Sequence, residues 1–171
     1  EVGVLVDVLH QDVARASLAR GDVDHAVAHL RLASRRGPAS RKPFHLWTLA
    51  SVLFFAHRYS DAMSALARAL RWGTRDKPLY RAQLALVRVA AGERVDDLQE
   101  RIDELASVPC GQGYGRFVLG HLAYAAGAWD AARRYLGAFV RRTEEARPAL
   151  AIALDSELQM ARATLAKMSA N

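Results

Sequence analysis

Apolar residues recur along this chain at three- and four-residue spacing, and the polar breaks between the apolar runs are themselves periodic. Gly21, His57, Gly92 and Gly127 mark the breaks, 36, 35 and 35 residues apart. After the first break comes the series Val23, Ala26, Leu30 and Ala33, and after the second Tyr59, Ala62, Leu66 and Ala69. After the fourth comes Trp129, Ala132 and Leu136; the third is displaced by Glu93-Arg94-Val95, giving Val95, Leu98, Ile102 and Leu105. The spacing predicts paired helices over about 4–19 and 24–36, 43–56 and 60–73, 78–91 and 95–107, and 114–126 and 130–142. Residues 148–169 read as one further helix, roughly 33 Å long at 1.5 Å per residue. A period of this length carrying two helical patterns marks a stacked array of helical hairpins. The expected fold is therefore all-α: a right-handed α-solenoid of about four helix–turn–helix repeats plus a C-terminal capping helix. It is read as one domain over 1–171, with repeats at about 4–38, 43–75, 78–108 and 113–142 and the cap at about 148–169.

The fourth unit carries Leu119-Gly120, Tyr124, Gly127, Trp129, Ala132 and Leu136, and the first carries Gly21, Val23, Ala26, Leu30, Ala33 and Pro38. On these residues, over about 7–142, the chain resembles the tetratricopeptide repeat family. Tyr124 stands one place late, and His57 replaces the turn glycine of the second unit. The resemblance implies that the first helix of each repeat lines a concave groove. Transferred to this chain, the groove positions give Arg15 in the first repeat and Phe44, Trp47, Ser51, Phe54 and Phe55 in the second. They give Leu86 in the third, and Phe117, His121 and Tyr124 in the fourth. A concentration of rings on an exposed surface marks a binding site; the competing role for each ring is packing in the core. Family members that clamp a C-terminal carboxylate use Lys, Asn and Arg at fixed groove positions. Here those positions hold Gln11, Arg15, Trp47, Ser51, Ala82 and Leu86, so that clamp is absent.

Charge changes the picture less than its size suggests. The net charge is +6, and 21 of the 24 basic residues are arginine, a bias that looks like codon usage rather than selection for a phosphate groove. Arg35, Arg36, Arg71, Arg75, Arg141 and Arg142 fall near the ends of second helices, and Asp22, Asp24, Asp61, Asp96, Asp97 and Asp130 near their starts. Helix dipoles and caps favour that arrangement, and stacking would gather acids on one edge and bases on the other. No apolar run reaches the ~20 residues of a membrane span. A single Cys110 forms no internal disulfide, which points to the cytoplasm. Opening on Glu1 without a methionine, the chain reads as trimmed or as one domain of a longer protein.

The chemical motifs are sparse. His25 and His29 stand four apart on a helix, as two zinc ligands would, but no third ligand is identifiable. The run Gly111-Gln112-Gly113-Tyr114-Gly115 precedes a helix without the strand that a dinucleotide fingerprint requires, and reads as an inter-repeat turn. No base lies beside Cys110. No catalytic residue, metal or cofactor is expected. The expected function is a non-catalytic interaction or scaffold module for another protein, holding an apolar peptide or helix in its groove, with homo-oligomers through the terminal helix as a further use. A small secretion-type chaperone for apolar segments is one alternative; a nucleic-acid or regulator module using the arginine edge is the other, ranked lower.

Overall fold

The structure is a computed structural model that describes residues 2–170, with side chains for residues 6–170; positions 1 and 171 of the expected domain lie outside the described residues. In chain order the helices are α1 (Val2–Ala19), α2 (Val23–Arg36), α3 (Lys42–Phe55), α4 (Tyr59–Ala69) and α5 (Lys77–Ala90). They continue with α6 (Leu98–Ala106), α7 (Gly115–Ala125), α8 (Trp129–Glu145), α9 (Pro148–Ala153) and α10 (Asp155–Ser169). Among the described residues there is no strand.

The periodic breaks share one local structure. Gly21, His57, Gly92 and Gly127 hold φ of 76°, 58°, 81° and 77°, the left-handed turn that ends a helix. The amide of the next residue reaches back five positions each time: Asp22 to the Ser17 carbonyl at 2.9 Å, Arg58 to Leu53 at 2.9 Å, Glu93 to Arg88 at 3.0 Å and Ala128 to Ala123 at 2.9 Å. Four copies of one turn thus join α1 to α2, α3 to α4, α5 to α6 and α7 to α8. Helix starts follow local rules too. Asp22 caps α2 by accepting the His25 amide at 3.1 Å, and Pro43, Pro78 and Pro148 sit in first turns, where a missing N–H goes unused.

The chain divides into two compact units, 1–74 and 75–171. In the first, α1 packs on α2, α2 on α3 and α3 on α4. Alanines Ala26, Ala33, Ala62 and Ala69 are fully buried at the contacts and let the helices approach, while Leu30, Leu46, Leu49, Leu53 and Leu66 fill the space between. In the second unit α5 packs on α6 and α7, α7 on α8, and α10 on α8 and α7. Its core is Ile102, Leu105, Phe117, Leu119, Leu122, Leu136, Phe139, Leu158 and Met168. At Gly120 a Cβ would overlap the Leu136 side chain, so α7 and α8 meet there at backbone distance.

The terminal helix differs from expectation. It breaks at Leu154, where φ is −111° and ψ is 25°. The six-residue α9 buries no side chain and leaves Ile152 74% exposed. Beyond the bend, α10 buries Leu158, Ala161, Thr164 and Met168. The Arg133 guanidinium donates to the Met168 carbonyl at 2.9 Å, and Arg162 pairs with Glu144. Only the second part of the predicted helix acts as a cap on its unit.

Candidate functional site

α3 is the most apolar helix of the first unit, and its two sides differ. One side carries Leu46, Leu49, Ala50, Leu53 and Phe54, all buried. The other carries Phe44, Trp47, Thr48, Ser51, Val52 and Phe55 at three- and four-residue steps. Phe44 is 43% exposed, and Trp47, Val52 and Phe55 are half-buried. The Phe44 and Trp47 rings lie 6.0 Å apart at 39°. Two hydroxyls interrupt this stripe without making it polar: Thr48 Oγ1 donates to the Phe44 carbonyl at 3.0 Å and Ser51 Oγ to the Trp47 carbonyl at 3.2 Å. Both protons are thus spent on the helix's own backbone.

The other expected groove residues separate into surface and core. Arg15 is exposed and pairs with Asp12 at 3.5 Å, one turn away on α1. Phe54, in contact with Phe55 at 5.0 Å, is 5% exposed. In the second unit Leu86, Phe117 and His121 are buried as well. Phe117 packs against Phe139 at 5.5 Å, and the His121 ring meets it edge-on at 4.6 Å. Burial pushes the His121 imidazole down to about 4, and its Nε2 has no hydrogen-bond partner among the described residues, so it stands as a neutral core group. Tyr124 is half-buried, its ring 5.8 Å from Trp129. The structure therefore leaves Phe44, Trp47 and Phe55 partly open along α3 and places Ser51, Phe54, Leu86, Phe117 and His121 inside.

Sequence reasoning missed a buried polar cluster between α1 and α3. Asp7 and His45 are fully buried, with His45 Nε2 donating to Asp7 Oδ2 at 2.6 Å and Nδ1 pairing with Gln11 Oε1 at 3.0 Å. Arg41 reaches the same carboxylate oxygen at 3.3 Å. The available signal was an aspartate inside the apolar run Val4-Leu5-Val6-Asp7-Val8-Leu9 and a histidine at a core position of α3. A second cluster enlarges the His25/His29 pair. His10 Nδ1 lies 2.9 Å from His29 Nδ1, and His25 Nδ1 bonds Ser17 Oγ at 2.8 Å. Among the described residues no group of three or more His, Cys, Asp or Glu side chains is placed to hold a metal ion. Burial raises the Cys110 thiol above its usual range, away from the nucleophilic thiolate. In the glycine-rich run, Gly111 and Gly115 pack against the backbone of Leu105 and Cys110, where a Cβ would overlap. That run is a tightly packed connection.

No protein-family model, no curated protein and no solved structure matches this chain at a significant level. Among the described residues no helix is long and apolar enough to cross a membrane.

Proposed function

We propose that this chain is a non-catalytic protein-interaction module of tetratricopeptide-like hairpins, stacked as a right-handed solenoid, that takes an apolar helix or extended peptide of another protein. The repeated left-handed turn and the order of helix pairing within each unit support the hairpin reading. The observation that carries the binding reading is the α3 face on which Phe44 is exposed and Trp47, Val52 and Phe55 are partly open to solvent. Rings on a rigid helix bury large area at small entropic cost, which makes such a face an anchor site. Exposed Arg15, 3.5 Å from Asp12, can exchange that surface partner for an acidic flank of the ligand.

The test is capture of partners from the native lysate by wild type and by Phe44→Glu/Phe55→Glu, the variant first shown to retain its helical spectrum and cooperative unfolding. A partner held by wild type and lost by the variant supports the α3 face. A partner held equally by both removes it. Trp47→Ala should weaken an identified complex by on the order of 2 kcal/mol; loss of folding instead would assign Trp47 to the core.

A further inference from the structure

We propose that the first unit carries a binding site for a nucleoside polyphosphate, in a basic cleft formed by α2, α3 and the end of α4. The cleft has a volume of about 460 Å³ and is lined by Ser34, Arg35, Lys42, Leu46, Arg68, Arg71 and Trp72. That size lies within the range of small-molecule sites.

Four of the seven lining side chains are cationic and none is acidic. Among the described residues, Arg35, Lys42, Arg68 and Arg71 form no ion pair; the Lys42 ammonium instead lies 5.3 Å from the centre of the Trp72 ring. A cleft in the second unit differs, because its arginines are paired with acids. There, in about 320 Å³, Arg81 pairs with Glu104, Arg88 with Glu93 at 2.8 Å, and Arg101 with Asp97 at 2.7 Å. The acids of the first unit are engaged elsewhere: Arg58 bridges Asp24 and Asp61 at 3.0 and 3.3 Å, and Arg31 reaches Asp61 at 3.6 Å.

Helix dipoles explain part of the arrangement. Arg35 and Arg68 stand in the last turns of α2 and α4, where a cation is favoured. Lys42 does not follow that rule, because it opens α3, the end at which the dipole opposes a cation. Arg71 lies beyond the last turn of α4. The two helix C-termini oppose a bound anion with about half a unit charge each, which four cations exceed. Guanidinium groups fork onto phosphate oxygens, while the half-buried Trp72 indole offers a flat apolar surface that inorganic phosphate would not use. A polyanion bearing an aromatic base satisfies both halves of the cleft.

Isothermal titration of the full chain at low salt, with ADP and pyrophosphate as probes, decides the matter. ADP is expected to bind one site more tightly than pyrophosphate, with affinity falling as salt rises. Trp72→Leu should lower ADP affinity on the order of tenfold or more while leaving pyrophosphate unchanged, and that unchanged binding verifies the variant's fold. Exposed Arg35→Glu/Arg68→Glu should remove both ligands without altering the helical spectrum. Absence of ADP binding at low salt overturns the proposal, as does equal binding of ADP and pyrophosphate that ignores Trp72. A single-stranded oligonucleotide that binds where ADP does not also overturns it, in favour of a nucleic-acid surface.

Discussion

Among the described residues, one adopts the left-handed turn without being glycine. At φ 58° the Cβ of His57 meets the steric cost that Gly21, Gly92 and Gly127 avoid. That cost is roughly 1–2 kcal/mol, against roughly 0.5–1 kcal/mol of extra chain entropy that a glycine surrenders on folding. The exposed bond from His57 Nδ1 to the Tyr59 hydroxyl, 2.8 Å, offsets little. His57→Gly is therefore expected to raise stability by about 0.5 kcal/mol, read as a higher urea midpoint at unchanged slope. Gly92→Ala should lower it by about 1 kcal/mol even though a Cβ there meets nothing within 4 Å, because the penalty is conformational. A stabilising Gly92→Ala would contradict this account of the turn.

Between elements, the same logic turns on what two helices share. α1 and α3 share Asp7, Gln11 and His45, a polar cluster sealed in an alanine- and leucine-rich unit. Removing one member strands the others: His45→Ala should cost about 3 kcal/mol, since among the described residues the Asp7 carboxylate then keeps Arg41 alone. Asp7→Leu/His45→Leu should cost less than His45→Ala, because no buried charge is left behind. Unfolding free energies of the two variants check this, and equal or greater loss in the double variant would show that the cluster is net stabilising.

Legibility in the sequence divides along the same line between local and tertiary causes. Helix bounds and turns follow from φ preference and 3.6-residue spacing, so the expected segments 24–36 and 43–56 lie within a residue or so of α2 and α3. Exposure does not follow from spacing: Phe54 is core and its neighbour Phe55 half-open, and Phe117 is inside because Phe139 of α8 covers it. The bend at Leu154 had no breaker residue to announce it. The basic cleft was visible only as arginines near helix ends, because α2, α3 and α4 must pack before Arg35, Lys42, Arg68 and Arg71 share one space.

At the scale of the whole molecule, two buried ionisable groups of the second unit pull stability in opposite directions with pH. Glu157, docked by α10 so that its Oε1 accepts the Tyr114 hydroxyl at 3.1 Å, is pushed by burial from 4.5 up to about 7. Its folded form favours the proton, so its contribution is full below 4.5 and is lost as pH rises to about 7. His121, driven by burial from 6.5 down to about 4, contributes fully above 6.5 and loses its contribution as pH falls to about 4. Each shift corresponds to about 3 kcal/mol, over nearly the same window and with opposite sign. Wild type should therefore show little net slope from this pair between pH 5 and 6.5. Glu157→Gln removes one side of the balance, and its stability should rise as pH increases toward 6.5. His121→Leu removes the other, and its stability should fall as pH increases toward 7. Urea unfolding of the three proteins across this range provides the measurement, and a Glu157→Gln profile parallel to wild type would mean that Glu157 is ionised beneath α10 throughout.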